Sequence, residues 1–71
     1  MDKIISNISG TVWKINVEED DNLVDGQTVV ILESMKMEMP ITSNVVGTVK
    51  EIKVNEGDVV NEGDILIELN Y

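Results

Sequence analysis

Cysteine and histidine are both missing from these 71 residues. Their absence removes thiolate and imidazole metal sites, Cys and His nucleophiles, and any disulfide framework. Phenylalanine is missing too, and Trp, Tyr and Pro occur once each, so a core has to come from Val, Ile, Leu and Met. Basic residues are scarce: five against 14 Asp and Glu, for a net charge of −9. Neutralising phosphates takes clustered Lys and Arg, so the charge argues against nucleic acid and against an anionic membrane surface. No apolar run approaches the roughly 20 residues of a spanning helix. Met1-Asp2-Lys3-Ile4-Ile5-Ser6 lacks the apolar stretch and small-residue cleavage site of a secretory signal, and a cytoplasmic location is expected. The length suits a single domain over residues 1–71.

What is present is an internal repeat. The segment from Gly10 to Leu32 matches the one from Gly47 to Leu69. Gly10-Thr11-Val12 meets Gly47-Thr48-Val49, Ile15 and Val17 meet Ile52 and Val54, Asp21 meets Asp58, Gly26 meets Gly63, and Leu32 meets Leu69. Leu23 and Val60, Val29 and Leu66, and Val30 and Ile67 are conservative matches. Trp13, Ile15 and Val17 alternate with Lys14 and Asn16, and Ile52 and Val54 with Glu51 and Lys53, the period of strands with one buried face. Asp25-Gly26 and Glu62-Gly63 are turn signals, and Gly10, Gly47 and Gly57 suit left-handed backbone or close approach. Neither unit can bury its apolar face alone. The expected fold is therefore all-β: a flattened sandwich or barrel of two facing antiparallel sheets related by a pseudo-two-fold axis.

Between the units runs Glu33-Ser34-Met35-Lys36-Met37-Glu38-Met39-Pro40-Ile41. Thr28 to Leu32 and Met37 to Thr42 both look extended, and a reversal of about two residues between them favours a primed hairpin turn. Met35 and Lys36 fall at its tip. Such turns need positive φ at both central residues, so a Met-Lys pair there is expected to store about 1–3 kcal/mol of strain. Breaks in local preference of this kind point to function. Met39 and Ile41 are expected in the core.

Glu33-Ser34-Met35-Lys36-Met37-Glu38, set between the two Gly-Thr-Val repeats, resembles the attachment motif of biotinyl domains, the biotin carboxyl carrier proteins and their relatives. The resemblance covers nearly the whole chain. It implies a flattened β-barrel of two four-stranded antiparallel sheets, with Lys36 on an exposed hairpin carrying covalent biotin. It further implies a biotin protein ligase that acylates Lys36, and a biotin carboxylase and a carboxyltransferase between which the arm carries CO2. The domain would then be a non-catalytic carrier, monomeric in isolation. Family members most often show Ala where Ser34 stands and a Pro-containing stretch where this chain has Ser6-Asn7-Ile8-Ser9-Gly10. Met35 and Met37, unbranched and polarizable, are expected to be read by the ligase, and they leave the lysine's neighbourhood cheap to desolvate.

Two other readings compete. A lipoyl domain shares the fold and the hairpin lysine, but usually has Asp before the lysine and a small residue after it, where this chain has Met35 and Met37; attachment of lipoate, alone or alongside biotin, is the alternative. A module that carries no modification is the third. Lys3, Lys14, Lys50 and Lys53 lack the flanking motif and read as surface charges. Glu18-Glu19-Asp20-Asp21-Asn22 lacks the ligand spacing of a calcium loop and reads as a solvated turn. Trp13, whose repeat partner is Lys50, is expected to be partly exposed at the barrel edge, without an assigned role.

Overall fold

Each run of alternating Val, Ile and Leu between acidic turns is a strand in the computed structural model, which describes residues 2–70. The first half supplies β1 (Lys3–Ile5), β2 (Gly10–Ile15), β3 (Asn22–Leu23) and β4 (Thr28–Ser34). The second supplies β5 (Met37–Thr42), β6 (Gly47–Ile52), β7 (Val59–Val60) and β8 (Ile65–Asn70). They pair into two four-stranded antiparallel sheets, β1-β8-β6-β3 and β5-β4-β2-β7. Each sheet takes two strands from each half. The halves are thus interleaved, and neither can close a core without the other. Val12, Val29, Val30 and Leu32 from one half meet Val49, Leu66, Ile67 and Leu69 from the other in a single buried cluster.

The pseudo-two-fold expected from the repeat holds down to single hydrogen bonds. Val12 N–H donates to the Asp58 carbonyl and Val49 N–H to the Asp21 carbonyl, each at 2.8 Å, so each half's acidic turn is pinned to the other half's Gly-Thr-Val strand. The turn acids also act through their side chains. Asp21 Oδ2 accepts from Glu18 N–H, and Asp58 Oδ2 from Asn55 N–H, both at 2.8 Å. The Glu18–Asn22 cluster is therefore a capped turn, and among the described residues no group of acids is arranged to hold a metal.

Simple alternation fails at four matching places, because both sheets are bulged. Val12 pairs with Leu32 and Lys14 with Ile31, which leaves Trp13 as the extra residue; Lys50 is extra in the same way between Val49 and Glu51. Val12 is thereby buried, while Trp13 and Lys14 are both exposed. This corrects the expected run of Trp13, Ile15 and Val17 along one buried face, and it places Trp13 on an inner strand, β2, rather than at the edge. Val29 and Leu66 are the extra residues of β4 and β8, which lets Val29 with Val30, and Leu66 with Ile67, face inward consecutively. Ile41 is in the core as expected, but Met39 is only half-buried.

Candidate functional site

The β4–β5 ladder runs without interruption to Ser34 opposite Met37, so Met35 and Lys36 alone make the reversal. Their φ angles are 52° and 64°. Both residues are in the left-handed region, the requirement of a two-residue primed turn, and neither is Gly or Asn. Left-handed backbone costs a side-chain-bearing residue about 1–2 kcal/mol. The long β4–β5 ladder holds the turn against that cost.

The turn puts its side chains into solvent. Met35 is 92% exposed and Met37 62%, the conformation of choice for neither thioether if burial alone decided it. Lys36 is exposed between them, and no hydrogen bond or ion pair holds its amine among the described residues. Lys53, by contrast, is tied to Glu51 at 3.4 Å and Glu68 at 3.9 Å. One row behind the turn, Glu33 and Glu38 face each other across the strands, both exposed. Like charges directly opposite are mildly destabilising, so the tip is an amine ringed by thioethers and then by acids.

Ser34, Met37 and Met39 share the inward face of the hairpin, and with Met35 and Ile8 they line an apolar hollow of about 180 Å3 beside the lysine. Ser34 was read only as a departure from the family pattern and Met39 as core, and Ile8 had no reading of its own, although extending the repeat backward would have flagged it, since Ser6-Asn7-Ile8 matches Ser43-Asn44-Val45. Larger hollows of about 510 and 380 Å3 share no residue with the turn. The pseudo-two-fold carries the β4–β5 pair onto the β1–β8 pair. Among the described residues Met35 and Lys36 are the one adjacent pair of left-handed residues, and the chemistry of their tip is that of an accessible primary amine with an apolar collar. That is a substrate's chemistry: an amine that an activated carboxyl group can acylate, flanked by surface that a docking enzyme desolvates at little cost.

Comparison with known proteins bears on the same region. Residues 2–69 match a family model described as "Biotin-requiring enzyme". The chain is 54% identical over 63 residues to the "Biotin/lipoyl attachment protein" of Bacillus subtilis, covering 89% of this chain and 86% of that protein. It is 35% identical over 68 residues to the "Biotin-dependent acyl-coenzyme A carboxylase alpha3 subunit" of Mycobacterium leprae, spanning 96% of this chain but 11% of that subunit. Among solved structures, the urea carboxylase of Kluyveromyces lactis superposes with a TM-score of 0.86 at 32% identity, over 93% of this chain and 6% of the carboxylase.

Proposed function

The chain belongs to the biotin/lipoyl attachment family, and from that membership we propose that it is a biotin carboxyl carrier whose attachment point is the Nζ of Lys36. The observation that supports this reading is the tip itself, a strained two-residue turn that presents one lysine between exposed methionines. The residues present fit the group. An amide to a biotin carboxylate needs a reachable primary amine, and the apolar collar leaves nothing charged in direct sequence contact with it. Biotin, when attached, supplies a ureido ring that accepts and releases a carboxyl group.

The chain's own residues do the rest by position. Lys36 offers its amine to a biotin protein ligase, which removes water and a proton from it before acylation. Met35 and Met37 give the ligase an adaptable apolar surface to read. The β4–β5 ladder holds the turn rigid, so an arm rooted there sweeps a bounded volume and is kept at high effective concentration near the enzymes it serves, a biotin carboxylase and a carboxyltransferase. The protein breaks no bonds of its own in this scheme. The same proposal takes residues 1–71 as one carrier unit, monomeric in isolation and working in the cytoplasm.

Incubation with a biotin ligase, ATP and biotin tests the reading by intact mass. One biotin adduct is expected on the parent chain and none on Lys36→Arg. A parallel incubation with a lipoyl ligase covers the other branch of the family: a lipoyl adduct at Lys36 without a biotin adduct overturns the assignment.

A further inference from the structure

The pseudo-two-fold supplies each outward position of one sheet with a counterpart on the other, and matched strands have the same burial pattern, β2 with β6 and β3 with β7. The chemistry of the two outer faces nevertheless differs, and not in one direction only: Ile5 and Ile65 pair on the outside of β1-β8-β6-β3 where the other sheet has Thr42 and Thr28. On β5-β4-β2-β7, Pro40, Ile31, Trp13 and Val59 face outward, since their chain neighbours Ile41, Val30, Leu32, Val12 and Val60 are the buried residues. Pro40 and Ile31 lie side by side in register, with Lys14 beyond them, and Val59 lies beside Thr11 on the next row. Trp13 sits at the bulge between the rows, 48% exposed, and Val59 is 77% exposed. The counterparts of these four apolar residues on β1-β8-β6-β3 are Lys3, Glu68, Lys50 and Asn22, all polar, with Lys53 bridging Glu51 and Glu68. At these four positions the fold is thus built with polar side chains on one sheet and apolar ones on the other. Folding does not require apolar side chains at these four positions.

Resting on the carrier reading above, we infer that the outer face of β5-β4-β2-β7 is a docking surface for the carboxylase component that Lys36 serves, a protein surface apolar at its centre and basic at its rim. Three features identify that occupant. The apolar residues lie on the sheet that carries the Lys36 hairpin, so a partner seated there has the arm's root at its border. Trp13 has the size and rigidity of an interface anchor. Glu38 and Glu33 share a row with Thr11 and Val59 and stand between the Pro40–Ile31 pair and the turn, on a chain of net charge −9, so the complementary rim is Lys- and Arg-rich. A second copy of this chain fits poorly, because it would bring the same acids against one another.

Exchanging residues with their symmetry counterparts tests this, since the substituted side chains already occur on the same local backbone. Trp13→Lys and Val59→Asn are made separately, with Lys50→Trp as control, all on the unbiotinylated chain. Binding to the purified biotin carboxylase and carboxyltransferase components of the same organism is read by sedimentation velocity. The expected result is binding of the parent to at least one component, weakened by about tenfold or more in Trp13→Lys and to a lesser degree in Val59→Asn, weakened also by added salt, and unchanged in Lys50→Trp. Ligase-catalysed biotinylation of Lys36 should be unaffected in all three, and each should remain folded at the assay temperature. Equal binding by parent and Trp13→Lys overturns the inference, as does a parent homodimer that Trp13→Lys dissolves. Failure of the parent to accept biotin would instead strike the carrier reading, and the two results are read on separate instruments.

Discussion

Ser34 and Met37 are register partners, and the whole reversal between them consists of two left-handed residues that carry side chains. A sequence selected for the turn alone would place Asn and Gly there. Replacing Met35 with Asn and Lys36 with Gly is expected to stabilise the protein by about 1–2 kcal/mol, by relieving strain at two positions while removing almost no buried surface. Urea unfolding measures it. A double variant no more stable than the parent would mean that the turn is unstrained and that its unusual residues need another explanation.

Gly10 marks a second constraint near the same hairpin. A Cβ there would lie 2.8 Å from the Glu33 carbonyl oxygen, and at its counterpart Gly47 a Cβ would lie 2.9 Å from the Asn70 carbonyl oxygen. The obstacle is backbone in both cases and cannot swing away. Gly10→Ala is expected to cost about 2–3 kcal/mol, in the range of overpacked cores, and Gly47→Ala a similar amount.

Gly57 is the contrasting case. Its φ of 96° is left-handed, yet a Cβ there meets nothing within 4 Å, and its counterpart Asp20 already holds a φ of 74°. Gly57→Asp should therefore cost about 1 kcal/mol or less, since Asp tolerates this conformation better than most residues. Thermal unfolding of the two substitutions side by side separates crowding from conformational strain; equal losses would contradict the distinction.

The repeat, the two-sheet architecture and the two-residue tip were legible in the sequence because each rests on local chemistry: matched Gly-Thr-Val starts, Asp/Glu-Gly turns, and a length of chain too short for anything but a hairpin. The bulges at Trp13, Lys50, Val29 and Leu66 were not, since a bulge is decided by the partner strand's register and leaves no residue signature of its own here. Alternation therefore put Trp13 on the buried face, whereas its repeat partner Lys50 pointed to the partial exposure that is found, though on an inner strand and not at the edge. Met39 read as core because its residue type and period fit, but β4–β5 extends past the part of the sheet that the opposite sheet covers, and its inward face is left half open. The turn serines were also missed, although Ser6-Asn7 and Ser43-Asn44 stand at matching positions.

Those serines support the next expectation. Ser43, buried, donates its hydroxyl to the Val45 carbonyl at 2.7 Å and accepts from Val45 N–H at 3.2 Å. Ser6 closes the equivalent loop onto Ile8. Removing either hydroxyl leaves a part-buried carbonyl and N–H without that partner, which costs about 1–2 kcal/mol. The backbone contacts of the two loops go to different turns, Asp64 and Gly63 for Ser6, Gln27 and Gly26 for Ser43. The losses in Ser6→Ala and Ser43→Ala should therefore add in the double variant to within about 0.5 kcal/mol. A large coupling in the denaturation cycle would show that the halves communicate through these loops.

Met35 and Met37 carry the final prediction, in which recognition has to be separated from folding and from amine reactivity. Both thioethers are exposed, so Met35→Glu and Met37→Glu should shift stability by no more than about 0.5 kcal/mol. On the proposed carrier function, however, a ligase has to bring its active site around Lys36 and exclude water there. A carboxylate in the collar must be desolvated along with the lysine, or it keeps the lysine ammonium charged. The expected result is a loss of about tenfold or more in kcat/KM for biotinylation, with Met→Leu at the same positions losing much less. Acetylation of Lys36 by a small water-soluble ester reads the amine's reactivity without any docking. If the Glu variants lose as much there as with the ligase, the methionines tune the lysine and are not what the ligase reads; if they lose nothing in either assay, the collar has no part in attachment.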